Sequence, residues 1–221
     1  MTAPPILEAH GVGREYAGGA RALSDVSIAL SPGELVAVAG PSGSGKTTLL
    51  AILGGLDRPS EGAVTLDGQD LYALAPGALA RFRSERIAFV FQTHNLLPNL
   101  SALDNVALAV ETVRGNDEAI DKSRAALASL GLDRLEHRIA RRLSLGEQQR
   151  VAVARALAVG PRALIADEPT ASLDGASGER VLDALEAARA AGCAILLASH
   201  DERCLRRAGR TVRLADGRRV D

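Results

Sequence analysis

The chain has 221 residues, 47% of them hydrophobic, and a formal net charge of -1, so it is long enough to bury the core of one domain with or without an inserted subdomain. A near-neutral charge argues against a general nucleic-acid-binding surface. Because no segment approaches 18 uncharged apolar residues and no basic region precedes an apolar core at the N-terminus, we expect neither direct membrane insertion nor a signal peptide.

The first part of the chain predicts short strands, a buried strand and then a helix. Residues 1–33 have the pattern of strands and turns, and they end at the turn-forming pair Pro32-Gly33. The uninterrupted apolar run LVAVAG at 35–40 is typical of a parallel strand that is buried on both faces. The next segment, KTTLLAILGGL at 46–56, has apolar residues at helical spacing and predicts a helix that ends at its Gly-Gly pair.

A helical segment then separates two groups of predicted strands. GAVTLDGQDL at 62–71 predicts a hairpin around an Asp-Gly turn, and RIAFVFQ at 86–92 predicts a second buried strand. Residues 93–158 are rich in Ala and Leu at mostly helical spacing. Strands return in ALIADEP at 163–169 and AILLASH at 194–200, and TVRLADGRRV predicts a last hairpin. This order favours an α/β core with a parallel sheet, interrupted by a helical insert.

The segment GPSGSGKTT at 40–48 has the spacing of a phosphate-binding loop, and it lies between a predicted strand and a predicted helix. Its glycines let the backbone wrap a phosphate chain, while its amides and the helix N-terminus supply positive partial charge. In such loops the lysine reaches the β- and γ-phosphates and the following hydroxyl binds Mg²⁺. A Gly-Ser loop with a chance lysine is the competing interpretation, although the chain has only one other lysine, Lys122. The predicted phosphate contacts come from Gly40, Pro41, Ser42, Gly43, Ser44, Gly45, Lys46, Thr47 and Thr48.

Two carboxylates, Asp167 and Glu168, follow the apolar run of ALIADEP. Ligands of parallel sheets bind at the carboxyl ends of the strands. We therefore expect Asp167 to hold Mg²⁺ through water and Glu168 to polarise an attacking water as a general base. An isolated Asp-Glu pair is more often a helix cap, but the phosphate-binding loop upstream favours the catalytic interpretation.

Together and in this order, the motifs resemble the nucleotide-binding subunit of ABC transporters along nearly the whole chain. Gln92 ends its predicted strand as the Q-loop residue of the family does, and LSLGEQQRVAVARAL at 143–157 stands where the LSGGQ signature helix begins. SLD at 172–174 matches the D-loop, and His200 matches the switch histidine. Tyr16 stands where an aromatic residue stacks on adenine. Each short element alone has a plain structural alternative, so their common order carries the resemblance.

The resemblance implies that ATP and Mg²⁺ are the cofactors and that ATP is hydrolysed. Gln92 would sense Mg²⁺ and the lytic water, Glu168 would orient that water, and His200 would steady the γ-phosphate. The implied metal ligands are Thr47, Gln92 and Asp167. The implied nucleotide contacts outside the phosphate-binding loop are Tyr16, Ser144, Gly146 and Asp174, the last of which would communicate across a dimer interface.

The signature departs from the family pattern at Leu145, which replaces its first glycine. In the family, the signature loop of one subunit caps the γ-phosphate of ATP bound to the other, through the serine and the second glycine. These residues are present as Ser144 and Gly146, so we expect capping to survive on a stiffer and bulkier loop. The opposing interpretation is a degenerate signature at a weak or inactive site.

The implied architecture is a P-loop NTPase, with a RecA-like parallel sheet, an N-terminal antiparallel β region and an inserted helical subdomain. A single ABC ATPase domain would cover residues 1–221. Its core and β subdomain would comprise 1–92 and 159–221, and its helical subdomain, with the signature, would comprise 93–158.

The implied partners are a second ABC subunit, as a homodimer, and an integral membrane permease, with no nucleic acid. The protein would lie on the cytoplasmic face of the inner membrane, attached through the permease. GGLDRPSEGAVTLDGQDL and FVFQTHNLLPNLSALDNVAL most resemble the Lol-type and MacB-type export branch, which serves lipoprotein release and macrolide or peptide export. The alternative is an ATP-dependent scaffold or mechanotransmission subunit of an envelope or cell-division complex, with little hydrolysis.

Overall fold

The computed structural model describes residues 4–115 and 117–221. Within them the chain forms ten strands and seven α-helices, and no helix is both long and apolar enough to cross a membrane. The strands are β1 (Leu7–Glu15), β2 (Arg21–Leu30), β3 (Leu35–Ala39), β4 (Glu61–Leu66), β5 (Gln69–Asp70), β6 (Ile87–Val90), β7 (Ala163–Asp167), β8 (Ala194–Ala198), β9 (Arg210–Ala215) and β10 (Arg218–Arg219). The helices are α1 (Lys46–Leu53), α2 (Pro76–Arg86), α3 (Ala102–Arg114), α4 (Ala119–Ser129), α5 (Leu145–Ala158), α6 (Gly175–Ala190) and α7 (Glu202–Arg207).

Two sheets organise the fold. An antiparallel sheet has the order β2-β1-β4-β5, and a second sheet has the order β10-β9-β3-β8-β7-β6. In the second sheet β9, β3, β8, β7 and β6 run parallel, and only β10 pairs antiparallel with its neighbour. The α/β fold with an antiparallel β region and a parallel core sheet is confirmed.

The parallel sheet is buried on both faces. One face packs on α1 and the antiparallel sheet, and the other face packs on α3, α4, α5 and α6. Each of β3, β7 and β8 is buried at all five positions, as expected for apolar runs without polar alternation. The helices between β6 and β7 pack in the same apolar cluster as this second face of the sheet, so the helical region is joined to the sheet by a continuous apolar core.

Two strand ends and one helix differ from the sequence-based expectations. The strand predicted at 86–92 ends at Val90, and the strand predicted at 194–200 ends at Ala198, so Gln92 and His200 each lie two residues beyond a strand end. Helix α2 was not predicted. It begins with Pro76, which suits the first helical turn, but all eleven of its residues are described and none is buried, so it lacks the apolar stripe that marks a helix in a sequence.

Candidate nucleotide-binding site

The carboxyl ends of β3, β7 and β8 open into one cleft of about 710 Å³. Ten of the residues predicted from the sequence line this cleft: Ser42, Gly43, Gly45, Lys46, Thr47, Thr48, Gln92, Asp167, Glu168 and His200. They come from four separate segments of the chain, which the parallel order of the sheet brings to one edge.

The phosphate-binding loop needs its glycines for two reasons. Gly40 and Gly45 have φ values of 155° and 98°, which residues other than glycine rarely adopt. A Cβ atom at Gly40 would lie 2.2 Å from the carbonyl oxygen of Leu214, and one at Gly45 would lie 2.5 Å from that of Ala22. The loop is therefore closely packed against β2 and β9 from outside, which holds it in a concave shape.

The N-terminus of α1 presents its amides to the cleft. Gly45 is the N-cap, and among the described residues no side chain caps the helix and no acidic residue lies in its first turn. The Lys46 Nζ donates hydrogen bonds to the carbonyl oxygens of Gly40 and Pro41, at 2.8 and 2.9 Å. An uncapped helix N-terminus with an ammonium group beside it is an anion-binding arrangement.

Thr47 and Asp167 are already paired across the cleft. The Thr47 hydroxyl donates a hydrogen bond of 2.9 Å to Asp167 Oδ2, although 120 residues separate them. Asp167 is buried at the end of β7. Both groups are oxygen ligands of the kind that Mg²⁺ prefers, so this pair fits a magnesium ion bound beside phosphates.

Glu168 is held in an unusual backbone conformation, with φ at +51°. Its amide donates to the carbonyl oxygen of Ala198, which ties it to β8. Its carboxylate accepts a hydrogen bond from the Ser199 hydroxyl at 3.2 Å, and it lies 3.4 Å from the His200 Nε2 atom. Left-handed φ values in residues other than glycine are found where the surrounding structure imposes them, often at functional sites. The structure therefore aims Glu168 and His200 at each other.

An Asp201–Arg203 ion pair in the same cleft was not predicted from the sequence. The Arg203 Nη2 atom lies 2.7 Å from Asp201 Oδ2, and Thr170 donates its hydroxyl to the same oxygen at 2.9 Å. The hydrogen bonds from Arg203 lower the pKa of Asp201 to about 2. Arg203 also donates to the carbonyl oxygen of Gly175 at the start of α6. This cluster anchors the segment that carries His200, and its only sequence signal is an acidic residue at the N-cap of α7.

Several predicted nucleotide contacts lie outside this cleft. Gly40 and Pro41 accept from Lys46 by their carbonyl oxygens, and Ser44 is buried within the loop. The others are Tyr16, Ser144, Gly146 and Asp174, none of which lines the cleft of its own chain.

The signature segment forms a well-capped helix start. The Ser144 hydroxyl accepts a hydrogen bond from the Glu147 amide, and the Ser144 amide donates to the Glu147 carboxylate at 2.7 Å, which is a capping box. Leu145 is the first residue of α5 and has no positive φ, so the backbone does not require glycine there. Its side chain is 64% exposed. The added bulk of Leu145 is therefore largely in solvent, and any crowding must involve what approaches from outside.

Gly146 and Asp174 connect the signature to the D-loop of the same chain. A Cβ atom at Gly146 would lie 3.3 Å from the carbonyl oxygen of Ser172. Asp174 is the N-cap of α6 and accepts from the Ser177 amide, which lowers the pKa of Asp174. Arg150 of α5 donates to the Ser177 hydroxyl, so both helix starts are held together.

Comparison with known proteins agrees with these motifs. A family model described as ABC transporter matches residues 23–171. The lipoprotein-releasing system ATP-binding protein LolD of Anaeromyxobacter dehalogenans is 44% identical, over 99% of this chain and 94% of that protein. The macrolide export ATP-binding/permease protein MacB 1/2 of Paracoccus denitrificans is 45% identical over 99% of this chain, which spans 33% of that protein.

Solved structures show the same relationship in three dimensions. A dimeric post-hydrolysis state of the ATP-binding cassette MJ0796, bound to ADP and Pi, superimposes with a TM-score of 0.91 at 36% identity. The match covers 97% of this chain and 98% of that structure. The resemblance inferred from the motifs is thereby confirmed, and the chain belongs to the ABC transporter family as one of its ATPase cassettes.

Proposed function

We propose that this chain binds Mg-ATP in the cleft, hydrolyses it as one half of a homodimer and thereby drives a membrane permease. The observation that carries the proposal is the convergence of four separate segments on one cleft. An uncapped helix N-terminus, the Thr47–Asp167 pair and the Glu168–His200 pair all face the same space.

The phosphate-binding loop binds the triphosphate through backbone amides and Lys46. In the structure Lys46 is hydrogen-bonded to two loop carbonyl groups, so its ammonium group already lies over the loop. On binding, a phosphate oxygen replaces one of these carbonyl groups as its partner. Thr47, Asp167 and Gln92 would hold a Mg²⁺ ion, which would neutralise part of the phosphate charge.

Glu168 is the general base. A water molecule that donates to its carboxylate attacks the γ-phosphorus, the bond from that phosphorus to the bridging oxygen breaks, and ADP leaves with the bonding electrons. The water proton passes to Glu168. The Ser199 hydroxyl and the His200 amide both lie within 3.4 Å of Glu168 Oε2, so the carboxylate is oriented before the nucleotide arrives. His200 would exchange its contact with Glu168 Oε1, at 3.4 Å from Nε2, for a hydrogen bond to the γ-phosphate as the reaction proceeds.

The signature segment acts on the nucleotide of a second copy. Ser144 and Gly146 lie outside the cleft of their own chain, yet they stand at a helix N-terminus, which attracts anions. Because the Ser144 oxygen already accepts from the Glu147 amide, its own proton is left to donate to a phosphate oxygen. The dimeric state of the cassette MJ0796 supports this arrangement.

The membrane partner and its cargo are proposed from the relatives. LolD is an ATP-binding protein of a lipoprotein-releasing system, and MacB is named a macrolide export ATP-binding/permease protein. We place this cassette on the cytoplasmic face of the inner membrane, beside a permease of that export branch. The cargo class is a lipoprotein, macrolide or peptide.

The test is the Glu168→Gln variant of the purified chain. We expect steady-state ATP hydrolysis to fall by about 100-fold or more, since a general base contributes roughly 10²–10⁴-fold. The variant should still bind Mg-ATP and form a dimer by size-exclusion chromatography with light scattering. Glu179→Gln is a matched control, because Glu179 pairs with Arg207 away from the cleft. Undiminished hydrolysis would remove Glu168 as the base, and a persistent monomer would exclude a symmetric homodimer and favour the scaffold alternative.

A further inference from the structure

Arg14, Tyr16 and Asp57 form a hydrogen-bonded cluster beside the phosphate-binding helix. Arg14 binds the Asp57 carboxylate with two hydrogen bonds, 2.9 Å from Nε to Oδ2 and 2.7 Å from Nη2 to Oδ1. The Tyr16 hydroxyl donates to Oδ2 at 2.9 Å. The Asp57 carboxylate therefore binds both the guanidinium of Arg14, in β1, and the hydroxyl of Tyr16, which follows β1. Paired, bidentate contacts of this kind fix orientation as well as distance.

Asp57 is itself fixed to the end of α1. Its amide donates to the carbonyl oxygen of Ala51 at 3.2 Å, and its carbonyl oxygen accepts from the hydroxyl of the partly buried Tyr72. The main chain of Asp57 is thus attached to the helix whose N-terminus faces the phosphate site. The side chain of the same residue binds the Tyr16 hydroxyl, so Tyr16 is connected to α1 through Asp57.

The Tyr16 ring has one covered face. The Arg14 guanidinium carbon lies 4.5 Å from the ring centroid, which is a cation–π contact. The residue is nevertheless 40% exposed, and it opens a turn in which the Gly19 amide donates to the Tyr16 carbonyl oxygen. A flat group can therefore stack only on the face opposite Arg14.

We propose that Asp57 and Arg14 are positioning residues that hold the Tyr16 ring for stacking on the adenine of ATP. This inference rests on the proposed function. The cluster fixes the ring plane before the nucleotide binds, so that less side-chain entropy is lost on stacking. It also links the base-binding residue to α1, so the base and the phosphates are held at a set distance from each other.

The test compares the affinities of the purified chain for ATP and for inorganic tripolyphosphate, both measured by titration calorimetry with Mg²⁺. We expect Asp57→Asn and Tyr16→Phe each to weaken ATP binding by about three- to tenfold, the net worth of about one ordinary hydrogen bond. Tripolyphosphate binding should be unchanged, since it has no base. Asp67→Asn is the matched control. Asp67 has a similar exposure and also pairs with arginines, but it lies in the hairpin turn between β4 and β5, distant from Tyr16.

A spectroscopic measurement supplies a second readout. The chain has two tyrosines and no tryptophan, so its tyrosine fluorescence comes from Tyr16 and Tyr72. Stacking should make ATP quench this emission more than tripolyphosphate does, and Asp57→Asn should reduce the difference.

The possible outcomes separate this inference from the proposed function. Equal losses for ATP and tripolyphosphate would show a merely structural role and overturn the proposal. Unchanged ATP affinity in Asp57→Asn and Tyr16→Phe, with a loss in Tyr16→Ala, would overturn positioning but keep Tyr16 as the stacking residue. Unchanged affinity in Tyr16→Ala would remove Tyr16 from the site and this inference with it, while leaving the phosphate site intact.

Discussion

The ion pair between Asp201 and Arg203 should make the stability of the protein depend on acid pH. Hydrogen bonds from Arg203 lower the pKa of Asp201 to about 2, against about 3.9 for an aspartate in an unfolded chain. A carboxyl group whose pKa is lowered on folding stabilises the folded state above its unfolded pKa, and this contribution is lost as the pH falls through its folded pKa. The affected range is therefore about pH 4 down to pH 2.

The size of the effect follows from the two pKa values. A difference of about two units corresponds to at most roughly 2–3 kcal/mol near pH 7, since each unit is worth about 1.4 kcal/mol. About half of this remains at pH 3, and only a small part remains at pH 2. The Asp201 side chain is only 21% exposed, so solvent screening removes a modest part of this contribution.

The perturbation is Asp201→Asn, which keeps an N-cap and the hydrogen-bond acceptor while removing the charge. The assay is urea-induced unfolding at pH 7, 5, 4 and 3, with the difference in unfolding free energy between wild type and variant plotted against pH. We expect the variant to be about 2 kcal/mol less stable at pH 7 and the difference to shrink by about half at pH 3. Asp183→Asn, at an exposed partner of Arg207, is the control. A difference that stays constant from pH 7 to pH 3 would refute the reasoning.

Three further outcomes follow from other parts of the structure. Gly45→Ala should abolish ATP binding and destabilise the fold by more than about 1 kcal/mol, because its Cβ would meet a carbonyl oxygen at 2.5 Å. Gly43 also has a positive φ, but no atom of the described chain lies within 4 Å of its Cβ position. Gly43→Ala should therefore destabilise the fold less, as measured by thermal melting. In the Glu168→Gln background, Leu145→Gly should change the yield of ATP-bound dimer, measured by light scattering, by less than about threefold, since the leucine is exposed and unstrained. A dimer that forms only with glycine at this position would show that Leu145 blocks the partner. Burial raises the pKa of Cys193 to about 11, so at pH 8 this thiol should react with a thiol reagent only after unfolding, and fast labelling of the native protein would contradict its burial.

The sequence by itself determined the elements whose cause is local. The phosphate-binding loop is identified by the order of its glycines, Lys46 and Thr47 between an apolar run and a helix. All the residues that shape its backbone and contact the phosphates lie within nine consecutive positions, so a local pattern is enough. The apolar runs of β3, β7 and β8 predicted buried parallel strands, and parallel strands bring their ends to one edge of a sheet. The place of Asp167 and Glu168 in the site followed from that rule.

Only the tertiary structure decided which distant side chains pair. Arg14 and Asp57 are 43 residues apart, and Asp201 meets Thr170 across 31 residues, and neither pairing leaves a periodic pattern in the sequence. Such contacts depend on how loops at strand ends are packed, which the spacing of apolar residues does not encode. The same holds for Leu145, for which the sequence predicts only a stiffer and bulkier loop than one with glycine. Its direction into solvent is set by the helix start that Ser144 and Glu147 cap, so what it meets depends on the second subunit.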